Sequence, residues 1–117
     1  MAVKYLSFPL LIPLMDSPEL RRLEGQLSRE ILWIYLLSIL KSSGPMHAYV
    51  LREKVRERFG FLPGEVTAYI VLYKLESRGY VKTRKEANRV VYSIAASGRN
   101  LLKEAEKSFR QKQKLLF

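Results

Sequence analysis

The sequence contains no cysteine, one histidine and one tryptophan in 117 residues. The lack of cysteine excludes disulfide scaffolds, thiol catalysis and cysteine-based zinc sites. A single histidine excludes any site that needs two imidazoles. The most apolar run, residues 31–40, is shorter than the ~20 residues that a membrane-spanning helix needs. We therefore expect no catalytic residues, no metal site, no cofactor and no membrane partner.

Positive charge is abundant and lies mostly in the second part of the chain. Twenty-one Lys and Arg residues against 11 Asp and Glu give a formal net charge of +10. Residues 1–45 contribute +1 of this charge and residues 46–117 contribute +9. A basic part joined to a nearly neutral, apolar part predicts a binding surface on a packed scaffold. Its expected partner is a polyanion, with nucleic acid the first candidate.

Residues 1–16 are apolar and interrupted by prolines, so we expect an extended arm there. Pro9 and Pro13 break the helix that a signal peptide would form, and no small-residue cleavage site follows. Together with the lack of cysteine and of a spanning segment, this predicts a cytoplasmic protein.

Capping signals and apolar spacing predict the helices. Ser17 and Pro18 start a short helix, and Ser28 is expected to cap the apolar helix over residues 31–40. That helix is apolar on nearly all sides, which indicates burial from several directions.

The next two helices are predicted over residues 46–59 and 65–78, with a short turn between them. The buried stripe of helix 65–78 is expected to consist of Ala68, Val71, Leu72 and Leu75.

The apolar period then changes from 3.6 to 2, which predicts a two-stranded hairpin over residues 80–94 with Asn88 in its turn. Residues 97–116 return to a helical pattern. The order of three helices, a hairpin and a helix predicts a mainly α (α+β) winged helix-turn-helix. We expect three parts: an arm and short helix at 1–27, a DNA-binding winged helix at 28–95 and a dimerisation helix at 96–117.

Two motifs resemble the PadR family of winged-helix transcriptional regulators. The first is Gly44-Pro45-Met46-His47-Ala48-Tyr49-Val50-Leu51, where members show Gly-Pro-Leu-His-Gly-Tyr-x-Leu. The second runs from Thr67 to Val81, where members show Thr-Val-Tyr-x-x-Leu-x-x-Leu-Glu-x-x-Gly-Leu-Val. The resemblance extends over about residues 28–117. The chain departs from the family pattern at Ala48 and Ala95, and its wing lacks a Gly-Arg-Arg-Lys run.

The resemblance implies a dimeric DNA-binding transcriptional regulator, with repression the expected role and any small-molecule effector left open. Helix 65–78 is expected to read the major groove, and the wing at 81–94 to contact the backbone or the minor groove. The expected DNA-binding residues are Tyr49, Thr67, Tyr69, Ile70, Tyr73, Lys74, Arg84, Lys85, Asn88 and Arg89. The expected interface between two copies is a stripe with no assigned partner in its own chain: Leu101, Leu102, Ala105 and Phe109.

Several alternatives stay open from the sequence. Tyr69 and Ile70 either face DNA or complete the core. The basic hairpin either neutralises phosphates or forms a solvated edge strand. His47 and Trp33 are expected to be packing residues rather than ligands. Two other functions also fit: an architectural DNA-coating protein with little sequence preference, and a winged helix that binds a protein partner through its basic face.

Overall fold

The computed structural model describes residues 17–117, so the arm expected at 1–16 lies outside the described residues. The described chain forms five α-helices and one three-stranded antiparallel sheet. A π-helical segment, Gln26–Glu30, joins the first helix to the second through Ile31. The elements in chain order are α1 (Pro18–Gly25), α2 (Leu32–Ser43), β1 (Met46–His47), α3 (Ala48–Phe59), α4 (Glu65–Ser77), β2 (Val81–Glu86), β3 (Arg89–Ile94) and α5 (Ala96–Leu116).

The start of α1 follows the sequence prediction, but the predicted cap of α2 is wrong. The Ser17 hydroxyl accepts a hydrogen bond from the Leu20 amide at 3.1 Å, and Pro18 occupies the first turn. Ser28 caps nothing, because the helical path continues past Gly25 into the π segment. Its hydroxyl instead donates to the Glu24 carbonyl at 2.6 Å. A serine inside a helical turn commonly bonds back to the carbonyl four residues earlier.

Helix α2 forms the centre of the hydrophobic core. Its side chains meet α3, α4, α5 and β3, which confirms the prediction of burial from several directions. The helix ends at Gly44, which adopts a φ of 85° and donates its amide to the Leu40 carbonyl. The side chains of α2 that are buried in the core are Leu32, Leu36, Leu37, Ile39 and Leu40.

The sheet contains the predicted hairpin and one strand that was not predicted. β2 and β3 pair in register from Val81–Ile94 to Glu86–Arg89, around a turn at Ala87 and Asn88. Ala87 has a φ of 57°, the left-handed conformation that a tight hairpin turn requires. The prediction that a helix starts at residue 46 is wrong, because Met46 and His47 pair with β3. A strand of two residues is too short to show the alternation of apolar and polar residues that would have predicted it.

Helices α4 and α5 pack on the core to different extents. The stripe predicted for α4 is confirmed for Ala68, Leu72 and Leu75, and Val71 is partly buried. The expectation that the α5 stripe lacks a partner in its own chain is wrong for Leu101 and Leu102. Both residues pack against the core, because the first turns of α5 lie over α2.

The start of α5 is fixed by hydrogen bonds to the two residues that precede β2, just after the end of α4. The Ala95 amide donates to the Tyr80 carbonyl at 3.0 Å, and the Ser97 hydroxyl donates to the Gly79 carbonyl at 2.7 Å. Gly98 packs directly on this junction, where a Cβ would overlap the Tyr80 carbonyl oxygen and lie 2.9 Å from Ile94 Cγ1. Position 98 therefore requires glycine.

We predict that Gly98→Ala destabilises the fold by about 1–3 kcal/mol, the usual cost of forcing an extra methyl group into a packed site. Urea denaturation followed by circular dichroism measures this change. Gly64→Ala is the matched control, since the nearest atom to its Cβ would be Thr67 Oγ1 at 3.6 Å. The control should cost less than about 1 kcal/mol, since its expected loss is the preference for glycine over alanine at the N-cap of α4. Equal stability of the two variants would contradict the assigned contact.

Candidate nucleic-acid interface

One side of α4 is exposed along its whole length, opposite the buried stripe. The exposed side carries the predicted residues Thr67, Tyr69, Ile70, Tyr73 and Lys74. Ile70 and Tyr69 are each 49% exposed, so neither completes the core. The alternative that kept them in the core is therefore wrong.

Val66 is an exposed residue of α4 that the sequence analysis missed. It is 71% exposed, and it shares one line along the helix with Ile70 and Tyr73. Side chains three and four residues apart are neighbours on a helix surface, so this spacing was a usable signal. The middle of the exposed side is therefore partly apolar.

The turn between α3 and α4 is held by Arg52. Its Nε donates to the Pro63 carbonyl at 3.0 Å, and a guanidinium nitrogen lies 3.9 Å from a Glu65 carboxylate oxygen. The Arg52 side chain is only 14% exposed. Since Pro63 and Glu65 flank the start of α4, this arginine fixes the direction in which the helix leaves α3.

A cleft of about 420 Å³ separates α4 from the wing and the start of α3. It brings together four of the predicted DNA-binding residues, which come from three separate elements: Tyr49, Tyr69, Asn88 and Arg89. His47 lies at the same cleft, and its Nδ1 is 3.4 Å from the Val90 carbonyl oxygen. Burial raises the pKa of Tyr92, which also lines the cleft, and nearby Tyr69 and Glu76 add to the increase. The cleft therefore presents phenol, amide and guanidinium donors together.

The wing is attached to α4 on this side. The Thr83 hydroxyl of β2 donates to a Glu76 carboxylate oxygen at 2.6 Å. Two other predicted wing residues, Arg84 and Lys85, do not line the cleft. Arg84 pairs with Glu86 at 3.0 Å, but both side chains are about 60% exposed, and such surface pairs contribute little. Within residues 17–117, no ion pair is present at Lys85 or Arg89.

The opposite flank of α4 borders the π-helical segment and α2. Arg29 and Thr67 line a recess of about 200 Å³ there, next to Phe61 and Gly64. A larger cavity of about 520 Å³ follows along the same flank, lined by Trp33, Lys74, Arg78 and Glu30 among others. Lys74 thus lies on this flank rather than beside the wing. Trp33 is partly buried against the core, as expected for a packing residue.

The π-helical segment is anchored to α2 by a tyrosine. The Tyr35 hydroxyl donates to the Leu27 carbonyl at 2.6 Å. The Tyr35 ring packs edge-to-face with the rings of Phe59 and Phe61, with ring centroids 4.8 and 5.1 Å apart. Burial raises the pKa of Tyr35, and Glu24 adds to the increase. The phenol therefore stays a neutral donor, and the position of the segment next to α4 is fixed.

Within residues 17–117, no group of three or more His, Asp or Glu side chains is placed to hold a metal ion. None of the helices in this part of the chain has the length and apolarity to cross a membrane.

Comparison with known proteins identifies the family. The profile of the "Transcriptional regulator PadR-like family" matches residues 36–104, from the middle of α2 into α5. The chain belongs to the PadR-like family. The PadR-like match confirms the resemblance carried by the two sequence motifs. Members are DNA-binding winged-helix transcriptional regulators and not enzymes. No curated protein matches this chain.

Solved structures agree with this PadR-like assignment. A PadR family transcription regulator from Clostridium difficile is 27% identical, with a TM-score of 0.62 over 72% of this chain and 92% of that one. A PadR family transcriptional regulator from Eggerthella lenta is 22% identical, with a TM-score of 0.69 over 82% and 87% of the two chains. A winged-helix DNA-binding protein from STIV is 16% identical, with a TM-score of 0.61 over 70% and 89%. The last two likenesses concern the fold, which is a winged helix.

Proposed function

We propose that this PadR-like protein is a sequence-specific repressor that binds duplex DNA as a homodimer. Helix α4 enters the major groove, and the wing contacts the backbone or the minor groove. Residues 28–95 form the DNA-binding part, and residues 96–117 join two copies. The observation that carries the proposal is the cleft beside the exposed side of α4, which gathers Tyr49, Tyr69, Asn88 and Arg89.

The chemistry of the exposed side suggests how the groove is read. A helix with its side chains is about 10–12 Å wide and fits a major groove about 12 Å wide. Val66, Thr67 and Ile70 offer methyl groups to thymine, while Tyr69 and Tyr73 offer hydroxyls to phosphates. The side carries no Arg, Asn or Gln, which are the residues that bond most specifically to guanine and adenine. Base reading therefore rests on apolar contacts and on DNA shape.

We predict that Ile70→Ala lowers the preference for a site obtained by in vitro selection over random duplex about tenfold. This cost lies within the range of about 1–3 kcal/mol for one mismatched base pair. The loss follows from removing an apolar contact to a base edge, so the salt dependence should not change. Fluorescence anisotropy with both duplexes measures the ratio.

The comparison variant for this prediction is Val90→Ala, which removes a partly exposed apolar side chain from the wing side of the cleft. It should leave the preference unchanged, because α4 and not the wing is proposed to read the bases. Val90 is 39% exposed, against 49% for Ile70. Should wild-type protein bind selected and random duplexes equally, it is an architectural DNA-coating protein. Should it bind no duplex in a salt-dependent way, the protein-binding alternative is favoured.

We predict that replacing Arg84, Lys85 and Arg89 together by alanine weakens binding to selected and random duplex alike. The slope of log K against log salt should fall by about two to three, since each phosphate contact contributes about 0.9. Sequence preference should stay the same, because phosphate contacts carry no sequence information. The control is Lys103, Lys112 and Lys114 replaced by alanine on α5. An unchanged slope in the wing variant would show that the wing is a solvated edge.

Exposed apolar residues in the C-terminal half of α5 support the proposed dimer. Phe109 is 45% exposed, and Leu115 and Leu116 are more than 70% exposed. Leu101 and Leu102 are half-buried in their own chain, so the exposed part of the proposed interface begins after them. Helix α1 and the turn after it add further exposed leucines at 20, 23 and 27.

We predict a homodimer at about tens of micromolar protein by analytical ultracentrifugation, a concentration suited to a weak dimer. Phe109→Glu should shift the protein to monomer without unfolding it, because the side chain is not part of the core. Gln111→Glu adds the same charge two residues away and serves as the control. A monomer in the wild-type protein would rule out this part of the proposal.

A further inference from the structure

We propose that Arg29 of the π-helical segment, together with Lys74 of α4, binds DNA phosphates on the wall of the major groove that lies away from the wing. The inference rests on the proposed function, because it assigns a further contact of the same groove-bound helix. It adds the π-helical segment to the DNA-binding surface.

The first support is the position of the two cations along α4. Arg29 shares its recess with Thr67 and Gly64 at the start of α4. Lys74 lines the next cavity along the same flank, together with Glu30 of the π segment. Thr67 and Lys74 are two helical turns apart, about 10.5 Å along the axis. The two cations therefore follow one edge of the helix.

The second support is the width of the helix compared with the groove. On the other flank of α4, Tyr69 lines the cleft with Asn88 and Arg89. The two flanks are separated by the helix diameter of about 10–12 Å, and the major groove is about 12 Å wide. A helix that fills the groove places both flanks near phosphates, one flank for each strand. The wing supplies donors on one side only. The cations that line the two cavities on the other side are Arg29, Lys74 and Arg78, and Arg78 lies beyond the last residue of α4.

The third support is the absence of competing partners. Across residues 17–117, neither Arg29 nor Lys74 forms an ion pair or a side-chain hydrogen bond, and both are exposed. Among the described residues, the acid that lines these two cavities is Glu30, at the larger one. Two cations without bound counter-charges fit a row of phosphates.

Local backbone geometry places Arg29 at this flank. Its guanidinium passes over Gly25, where a Cβ would lie 2.9 Å from a terminal nitrogen. A π turn holds one residue more than an α turn, which rotates the side chains that follow it. The Tyr35 hydroxyl fixes the segment in this orientation through the Leu27 carbonyl.

The test measures binding of random-sequence duplex DNA over a range of salt concentrations. We expect Arg29→Ala and Lys74→Ala each to lower the slope of log K against log salt by about 0.9 per protomer, and the double variant by about 1.8. Arg29→Lys should keep the slope, because it keeps the charge. Arg22→Ala, on the exposed surface of α1, removes the same charge away from both cavities and should leave the slope unchanged.

Ethylation interference on a duplex obtained by in vitro selection locates the contacts. We expect blocked phosphates on both sides of the major groove in the wild-type complex. Arg89→Ala should lose the phosphates on one side, and Arg29→Ala those on the other. Wild-type binding with an unchanged slope in the double variant, or loss of the same phosphates in both single variants, would overturn this inference alone. Absence of salt-dependent duplex binding by the wild-type protein would overturn the proposed function and this inference with it.

Discussion

Burial of α2 determines where every other element of the described chain lies. Leu36, Leu37 and Ile39 are fully enclosed, and the helix touches α3, α4, α5 and β3 at once. Each such side chain contributes about 1.5–3 kcal/mol when it leaves water. Because these neighbours share one core helix, the exposed side of α4 and the wing have a defined relative position. The surface proposed to meet DNA is thus positioned by a core that contains none of the residues proposed to bind DNA.

The parts of the fold that repeat a period over many residues were predictable from the sequence. Leu72 and Leu75 were enough to place the buried side of α4, but the sequence left open whether Ile70 is exposed or completes the core, and only the structure shows it exposed. Alternation over residues 80–84, followed by β-branched and aromatic residues at 90–94, likewise indicated the hairpin. Short-range exceptions were not predictable. Serine is a residue type typical of helix N-caps, but at Ser28 a π turn keeps the helix continuous. Met46 and His47 form a strand only because β3 presents an open edge to them.

The candidate site shows the same division between local pattern and tertiary placement. The sequence indicated most of the exposed residues, but not which of them lie close together. Tyr49 and Arg89 are 40 positions apart and line one cleft, because the hairpin folds toward the start of α3. The ion pair between Arg84 and Glu86 could have been predicted, since residues two apart on a strand share a face. Arg29 gave no such signal, since the direction of its side chain depends on the π turn.

The contact between Gly98 and the Tyr80 carbonyl makes α5 a rigid extension of α4. Two hydrogen bonds and a close backbone approach join the helix proposed to enter the groove to the helix proposed to join two copies, without a flexible linker between them. In such a dimer, the separation of the two α4 helices is set by the protein and cannot adjust to the DNA. A target whose two recognition sequences are spaced differently must then bend or twist to fit. Stiffness of the intervening base pairs, which the protein never touches, would thereby enter into the choice of target.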